Sequence, residues 1–89
     1  MWRSLLKNNE KFALSPDEDR VIIYCNETEK ATMWRTQPLE KLFELEGDFS
    51  NFIWLGRTNE IMVKAGLIVW IMDAETGKRK RYVQGYFER

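Results

Sequence analysis

The longest uninterrupted apolar run in the chain covers residues 67–72, directly after Gly66. Six apolar residues in a row, rich in β-branched and aromatic side chains, are typical of a strand that is covered on both faces. A polar segment follows, in which Gly77 lacks a Cβ and so tolerates the positive φ that closes a hairpin loop over residues 74–77. The pattern predicts a long β-hairpin over residues 67–88, around which the rest of the chain is organised.

A hairpin with this loop places the residues of its two strands in defined pairs. Trp70 faces Arg81 in the register that we predict, and an exposed cation–π contact between them is worth about 0.5–1 kcal/mol. The other predicted pairs are Asp73 with Lys78, Val69 with Tyr82 and Ile68 with Val83. The base of the hairpin is then apolar, and its basic tip, residues 78–81, alternates between the two faces and extends into solvent.

Shorter runs of β-branched and aromatic residues predict further strands. They cover residues 12–14, 20–26, 31–36, 49–55 and 61–65. Between the first two, Ser15 and Glu18 form a capping box with Pro16 inside it, which favours the start of a helix. The β-branched segment that follows lacks a period of 3.6 residues, so we interpret residues 16–19 as a turn and keep the helix start as the alternative.

Residues 38–46 carry the pattern that most favours a helix. Leu39, Leu42 and Phe43 share one face at positions i, i+3 and i+4. The proline at the start of this segment suits the first turn of a helix, and Gly47 is placed to cap its end.

A second, shorter helix is predicted at the N-terminus, where the apolar residues of segment 1–9 have helical spacing. The chain is therefore predicted to be an α+β protein, a small and mainly antiparallel β-sheet with one clear helix at 38–46. Its 89 residues suit a single compact domain, and no internal repeat or linker is apparent. The core is predicted to contain Val21, Ile23, Leu42, Phe43, Trp54, Ile68, Trp70 and Val83.

The residue types that most catalytic and metal sites require are missing from the sequence. It has no histidine and a single cysteine, Cys25, which excludes His-based acid–base catalysis and a Cys/His zinc site. Its five glycines are scattered and form no phosphate-binding loop. We therefore predict a non-enzymatic protein without a cofactor or a metal.

The single cysteine also bears on location, because it forms no internal disulfide and so gives no sign of an oxidising compartment. No stretch is long and apolar enough for a membrane span, and the N-terminus lacks the pattern of a secretion signal. A cytoplasmic location without membrane contact is expected.

Charge is balanced overall but uneven along the chain. The formal net charge is zero, yet residues 1–56 hold seven Lys/Arg against ten Asp/Glu, whereas residues 57–89 hold seven against four. Such an asymmetry can orient a partner or pair two copies head to tail.

The basic tip of the hairpin is the candidate binding site. The predicted partner-binding residues are Lys78, Arg79, Lys80, Arg81, Tyr82 and Tyr86. Small size, many aromatic residues and missing catalytic groups favour a protein-interaction module that docks through a sheet edge or through hairpin 73–82. Compact accessory proteins of phages and mobile elements, including inhibitors of host enzymes, share this character.

Two alternatives use the same features. Cations beside an aromatic residue suit a phosphate backbone, so residues 78–82 also fit a nucleic-acid-binding hairpin. An apolar run with little to cover it fits a self-associating structural protein, for which a homodimer is the expected form. A protein partner is the interpretation that we favour.

Overall fold

The computed structural model describes residues 2–25 and 27–83, and strands dominate its secondary structure. A 3-10 turn over Trp2–Leu5 comes first. It is followed, within the described residues, by β1 Lys11–Leu14, β2 Arg20–Cys25, β3 Lys30–Thr36, β4 Leu39–Glu46, β5 Asn51–Trp54, β6 Glu60–Ala65, β7 Ile68–Asp73 and β8 Arg79–Tyr82. These strands form two antiparallel sheets, the first in the order β1-β2-β3-β4 and the second in the order β5-β6-β7-β8.

The strands predicted from short β-branched and aromatic runs are present as β1, β2, β3, β5 and β6. The turn predicted at residues 16–19 is confirmed as well. Ser15 N donates to Arg20 O at 2.9 Å, and Arg20 N donates to Ser15 Oγ at 3.1 Å. The serine of the apparent capping box therefore closes the β1–β2 hairpin and does not start a helix.

The α+β prediction is wrong, because the segment predicted as a helix is strand β4. A bulge interrupts its pairing with β3 at Leu42, between the pairs Met33–Phe43 and Trp34–Lys41. The extra residue lets both Leu42 and Phe43 pack against the same hydrophobic cluster. Two consecutive inward residues break the alternation of a strand and reproduce the apolar spacing of a helix.

The short N-terminal helix is wrong in type, since Trp2–Leu5 forms a 3-10 turn and the described residues contain no α-helix. Leu6 N donates to Arg3 O at 3.2 Å and ends this turn. No helix in the described part of the chain is long and apolar enough to cross a membrane.

The two sheets share one hydrophobic cluster, to which each contributes a face. Its buried members are Ile22, Tyr24, Ala31 and Met33 beside Phe49, Phe52, Ile61, Val63, Trp70, Met72 and Ala74. The rings of Tyr24 and Phe52 lie 4.8 Å apart across the junction of the sheets. Burying apolar surface contributes roughly 25 cal/mol per Å², so this shared cluster is the main source of stability.

The predicted core is confirmed in part. Val21, Ile23 and Trp70 are buried. The residues found half-buried are Leu42, Phe43, Trp54 and Val83. Ile68 is 54% exposed because it is the first residue of β7, at the end of the sheet.

The two sheets also repeat one another in topology and register. Leu14 pairs with Val21 beside the β1–β2 turn, and Trp54 pairs with Ile61 beside the β5–β6 turn. A bulge lies between the third and fourth strands of each sheet. A structural repeat of about 40 residues is therefore present, within the usual range for repeated β units, although the sequence shows no internal repeat.

The loop of the β7–β8 hairpin lies where the sequence predicts it, at residues 74–77. Asp73 N donates to Lys78 O at 2.9 Å and closes the loop. Gly77 has a φ of 80° and lies so close to Phe43 of the first sheet that a Cβ would be 2.8 Å from its ring. The glycine therefore serves both the loop conformation and the contact between the sheets.

The predicted pairing of Asp73 with Lys78 next to the loop is confirmed, but the predicted pairs farther from the loop are wrong by one residue. Lys80 is the extra residue of a bulge, so that Ile71 pairs with Arg81 and Trp70 pairs with Tyr82. One inserted residue moves every later pair and exchanges the faces of the strand.

The contact at Gly77 can be tested by adding a single methyl group. We expect Gly77→Ala to lower the free energy of unfolding by about 2–4 kcal/mol, because a positive φ and overpacking against Phe43 both oppose a Cβ. Gly66→Ala is the matched control: its φ is 62°, and no atom lies within 4 Å of the added Cβ. Backbone strain alone predicts a loss of about 1–2 kcal/mol there. Equal losses in urea unfolding would contradict the close contact between the sheets.

Candidate interaction surface

The predicted partner-binding residues lie along one edge of the second sheet. Strand β8, Arg79–Tyr82, is the last strand of that sheet in the described residues, and its side chains are exposed. Lys78 precedes it at the end of the loop, and Tyr86 lies outside the described residues. All the predicted site residues that the structure describes therefore belong to one edge.

Arg79 is held in place by two aromatic side chains. Its guanidinium lies 4.1 Å from the centre of the Trp70 ring, and its Nη1 donates to the Tyr82 hydroxyl at 2.9 Å. A cation–π contact to Trp70 is thus present, but Arg79 makes it and Arg81 does not. Tyr82 is 57% exposed, whereas the buried Trp70 Nε1 has no hydrogen-bond partner among the described residues. The result is an ordered Arg–Tyr pair at the surface.

Two of the other cations are paired with one carboxylate. Glu60 of β6 contacts Lys80 Nζ at 2.7 Å and Arg81 Nη1 at 3.4 Å. The hydrogen bond from Lys80, followed by that from Arg81, holds the pKa of Glu60 below its usual range. The run of cations seen in the sequence is therefore partly neutralised in the fold.

The tip of the hairpin is anchored from below by Asp73. Its Oδ1 accepts from the backbone N–H groups of Glu75 at 2.7 Å and Thr76 at 3.1 Å. The bond from Glu75 is the main cause that lowers the pKa of Asp73. Lys78 is exposed at this tip, and its ammonium has no partner among the described residues.

A polar contact that the sequence did not predict joins the two sheets at Arg20. Its Nη1 donates to Asn59 Oδ1 at 3.0 Å, and its Nη2 forms an ion pair with Glu75 in the β7–β8 loop. The Arg20 side chain is only 16% exposed, whereas its partner Glu75 is 45% exposed, so the arginine is held at the rim of the junction between the sheets. Asn59 and Glu75 are far from Arg20 in the sequence, so no local sequence pattern predicts these contacts.

An open cleft of about 100 Å³ lies beside Arg20, between the β1–β2 and β5–β6 turns. Its polar groups largely pair with each other: Arg57 contacts Asp17 at 3.3 Å, and Ser15 Oγ donates to Asp19 Oδ1 at 2.8 Å. No group of side chains in the described residues is arranged to hold a metal ion. The lining residues come from both turns, and the Arg57–Asp17 ion pair links the turn of the first sheet to the turn of the second.

Two consecutive four-stranded antiparallel sheets, packed face to face with β1 approaching β5, have the architecture of neighbouring blades in a β-propeller. Hsv2 of Kluyveromyces lactis has a similar structure, with a TM-score of 0.58 and 19% identity over 81% of this chain and 23% of that chain. The same protein with loop 6CD replaced by a Gly-Ser linker gives 0.60 and 19%, over 81% and 24%. Hsv2 of Kluyveromyces marxianus gives 0.56 and 18%, over 89% and 27%.

The chain thus spans about a quarter of the length of the Hsv2 chains that it matches. No protein-family model matches it, and no curated protein matches it in sequence. Similarity at this level of identity shows the fold, a pair of propeller-type blades.

The Arg20 contact is expected to stabilise the pair of sheets measurably. Arg20→Gln should lower the free energy of unfolding by about 1–2 kcal/mol, since it breaks two charge-assisted hydrogen bonds of a mostly buried arginine, although Glu75 is 45% exposed. Arg57→Gln removes an arginine from the same cleft whose side chain is 79% exposed. That control should cost less than about 1 kcal/mol. Equal losses for the two variants in chemical denaturation would contradict a joining role for Arg20.

Proposed function

We propose that this chain is a small, non-enzymatic protein-interaction module that binds an acidic partner surface through the exposed edge at β8. The observation that carries the proposal is the Arg79–Tyr82 pair, held against Trp70. Arginine and tyrosine are enriched among the residues that dominate interface energies. A side chain that is already positioned loses less entropy when a partner binds.

The position of β8 supports the same proposal. As the last strand of the second sheet in the described residues, it presents its side chains and one row of backbone groups outward. An extended segment of a partner can pair with such an edge. Lys78 and Arg79 then supply positive charge to an acidic segment.

The pairing of Lys80 and Arg81 with Glu60 favours a protein over a nucleic acid. A protein gains affinity for a phosphate backbone when its free cations neutralise the phosphates. Here the phosphates would compete with the Glu60 carboxylate for Lys80 and Arg81. The buried, unpaired thiol of Cys25 fits the cytoplasmic location that we propose for this module.

The proposal is tested by capturing partners from a native lysate with the immobilised chain, with and without nuclease. We expect a bound protein that resists nuclease and is lost with Arg79→Gln/Tyr82→Ser. Both side chains are exposed, so this double variant should unfold within a few degrees of the wild type. Arg57→Gln/Leu67→Ser is the matched control, because it alters an exposed arginine and an apolar residue that is 80% exposed, both away from β8.

The outcome with nuclease separates the two classes of partner. Loss of all binding after nuclease treatment, with a log–log salt slope near −3 to −4 for about four phosphate contacts, would show that the ligand is a nucleic acid. A protein partner retained equally by the double variant would remove β8 from the mechanism.

A further inference from the structure

A bulge in β8 brings two consecutive cations to one carboxylate. Lys80 is the extra residue of this bulge, and Arg81 follows it. Neighbouring side chains of a regular strand point to opposite faces of the sheet, and a bulge interrupts that alternation. Here both side chains reach Glu60 of β6, Lys80 Nζ at 2.7 Å and Arg81 Nη1 at 3.4 Å.

Glu60 lies on the face of the second sheet that is turned away from the shared cluster, which we call the outer face. Ile61, the next residue of β6, is 0% exposed and belongs to the cluster, so Glu60 points the opposite way. Asp73 of β7 pairs directly with Glu60 and therefore lies on the outer face as well. Two like charges that face each other across neighbouring strands destabilise a sheet.

The two cations of the bulge offset this repulsion. Their hydrogen bonds lower the pKa of Glu60, and the charge of Lys80 adds to the backbone hydrogen bond from Glu75 in lowering the pKa of Asp73. The Glu60 side chain is only 21% exposed, so it depends on its two partners for much of the solvation that water would provide. Two carboxylates and two cations therefore form a neutral group on the outer face.

The other two cations of the run make no ion pair within the part of the chain that the structure describes. Lys78 is exposed at the end of the loop. Arg79 lies against the Trp70 ring and donates to the Tyr82 hydroxyl, and neither of these groups carries a charge that would neutralise it. Of the four consecutive cations, two keep an uncompensated positive charge.

This division of charge affects a polyanion and a single carboxylate differently. A polyanion gains affinity from each cation that it neutralises. To use Lys80 and Arg81, it must leave Glu60 and Asp73 facing each other without their cations. One carboxylate of a protein needs only the positive charge of Lys78 and Arg79, so it meets no such cost.

We propose that Glu60 determines the specificity of the β8 edge: it engages Lys80 and Arg81, and so excludes polyanions from an edge that accepts isolated carboxylates. This selectivity concerns the binding edge described under the proposed function and rests on it. The capture experiment tests that edge with a protein partner, whereas the experiment below needs no partner. Either proposal can therefore fail while the other stands.

Glu60→Gln removes the charge and keeps the size of the side chain. We expect this variant to bind a fluorescent oligothymidylate about tenfold or more tightly than the wild type at low salt, because released cations can contact phosphates. The log–log slope of affinity against salt should steepen by about 0.7–1.4, for one or two further contacts with a single strand. Fluorescence anisotropy measures both quantities. Unchanged affinity and slope would overturn the proposal.

The matched control is Glu40→Gln, which changes the net charge equally. Glu40 is also paired with an arginine, Arg35, but both lie in the first sheet. Binding of the oligothymidylate should stay close to that of the wild type, because Lys80 and Arg81 remain engaged by Glu60. A gain equal to that of Glu60→Gln would show that net charge alone controls binding, and would overturn the proposal.

A charge-neutral double variant shows whether the gain comes from the released cations. Glu60→Gln/Arg81→Gln removes one charge of each sign, so it should lose most of the gain of Glu60→Gln. A double variant that keeps the whole gain would contradict a role for Glu60 in holding the cations. Circular dichroism checks each fold, and Glu60→Thr, whose side chain favours strands, replaces Glu60→Gln in the same measurements should that variant not fold.

Discussion

The structure depends on the burial of one apolar face from each sheet against the other. Neither four-stranded sheet can cover its own face, so the repeats are stable only when they pack together. Burial in this cluster raises the pKa of the Tyr24 hydroxyl, because desolvation disfavours its ionised form. Arg20 and Gly77 then set the relative position of the sheets around this cluster, the first by hydrogen bonds and the second by close approach.

Strands were predictable where apolar and β-branched residues were locally concentrated, as in β2, β3 and β7. The helix predicted at 38–46 and the hairpin register failed for one common cause, the bulge between the third and fourth strands of each sheet. At Leu42 it imitates a helical pattern, and at Lys80 it shifts the hairpin register by one residue. The position of a bulge depends on how side chains pack between the sheets, and the local periodicity of the sequence contains no information on that packing.

The sequence predicted which residues form the candidate surface, but it did not predict how their charges are paired in the fold. A run of four cations suggests a uniform basic patch, yet Glu60, which is distant in sequence, pairs with Lys80 and Arg81. What remains at the edge is Lys78 beside the ordered Arg79–Tyr82 pair. The repeat stayed hidden for a similar reason, since equivalent positions such as Phe43 and Arg81 share a place in the fold and no chemistry.

A double-mutant cycle on Tyr24 and Phe52 is the most direct test of the packing between the sheets. Their rings lie 4.8 Å apart, and one belongs to β2 while the other belongs to β5. Tyr24→Leu, Phe52→Leu and the double variant, unfolded in urea, should give a favourable coupling of about 0.5–1.5 kcal/mol, the usual value for a buried aromatic pair. A coupling of zero would show that the two residues do not meet and would contradict a core shared by the two sheets.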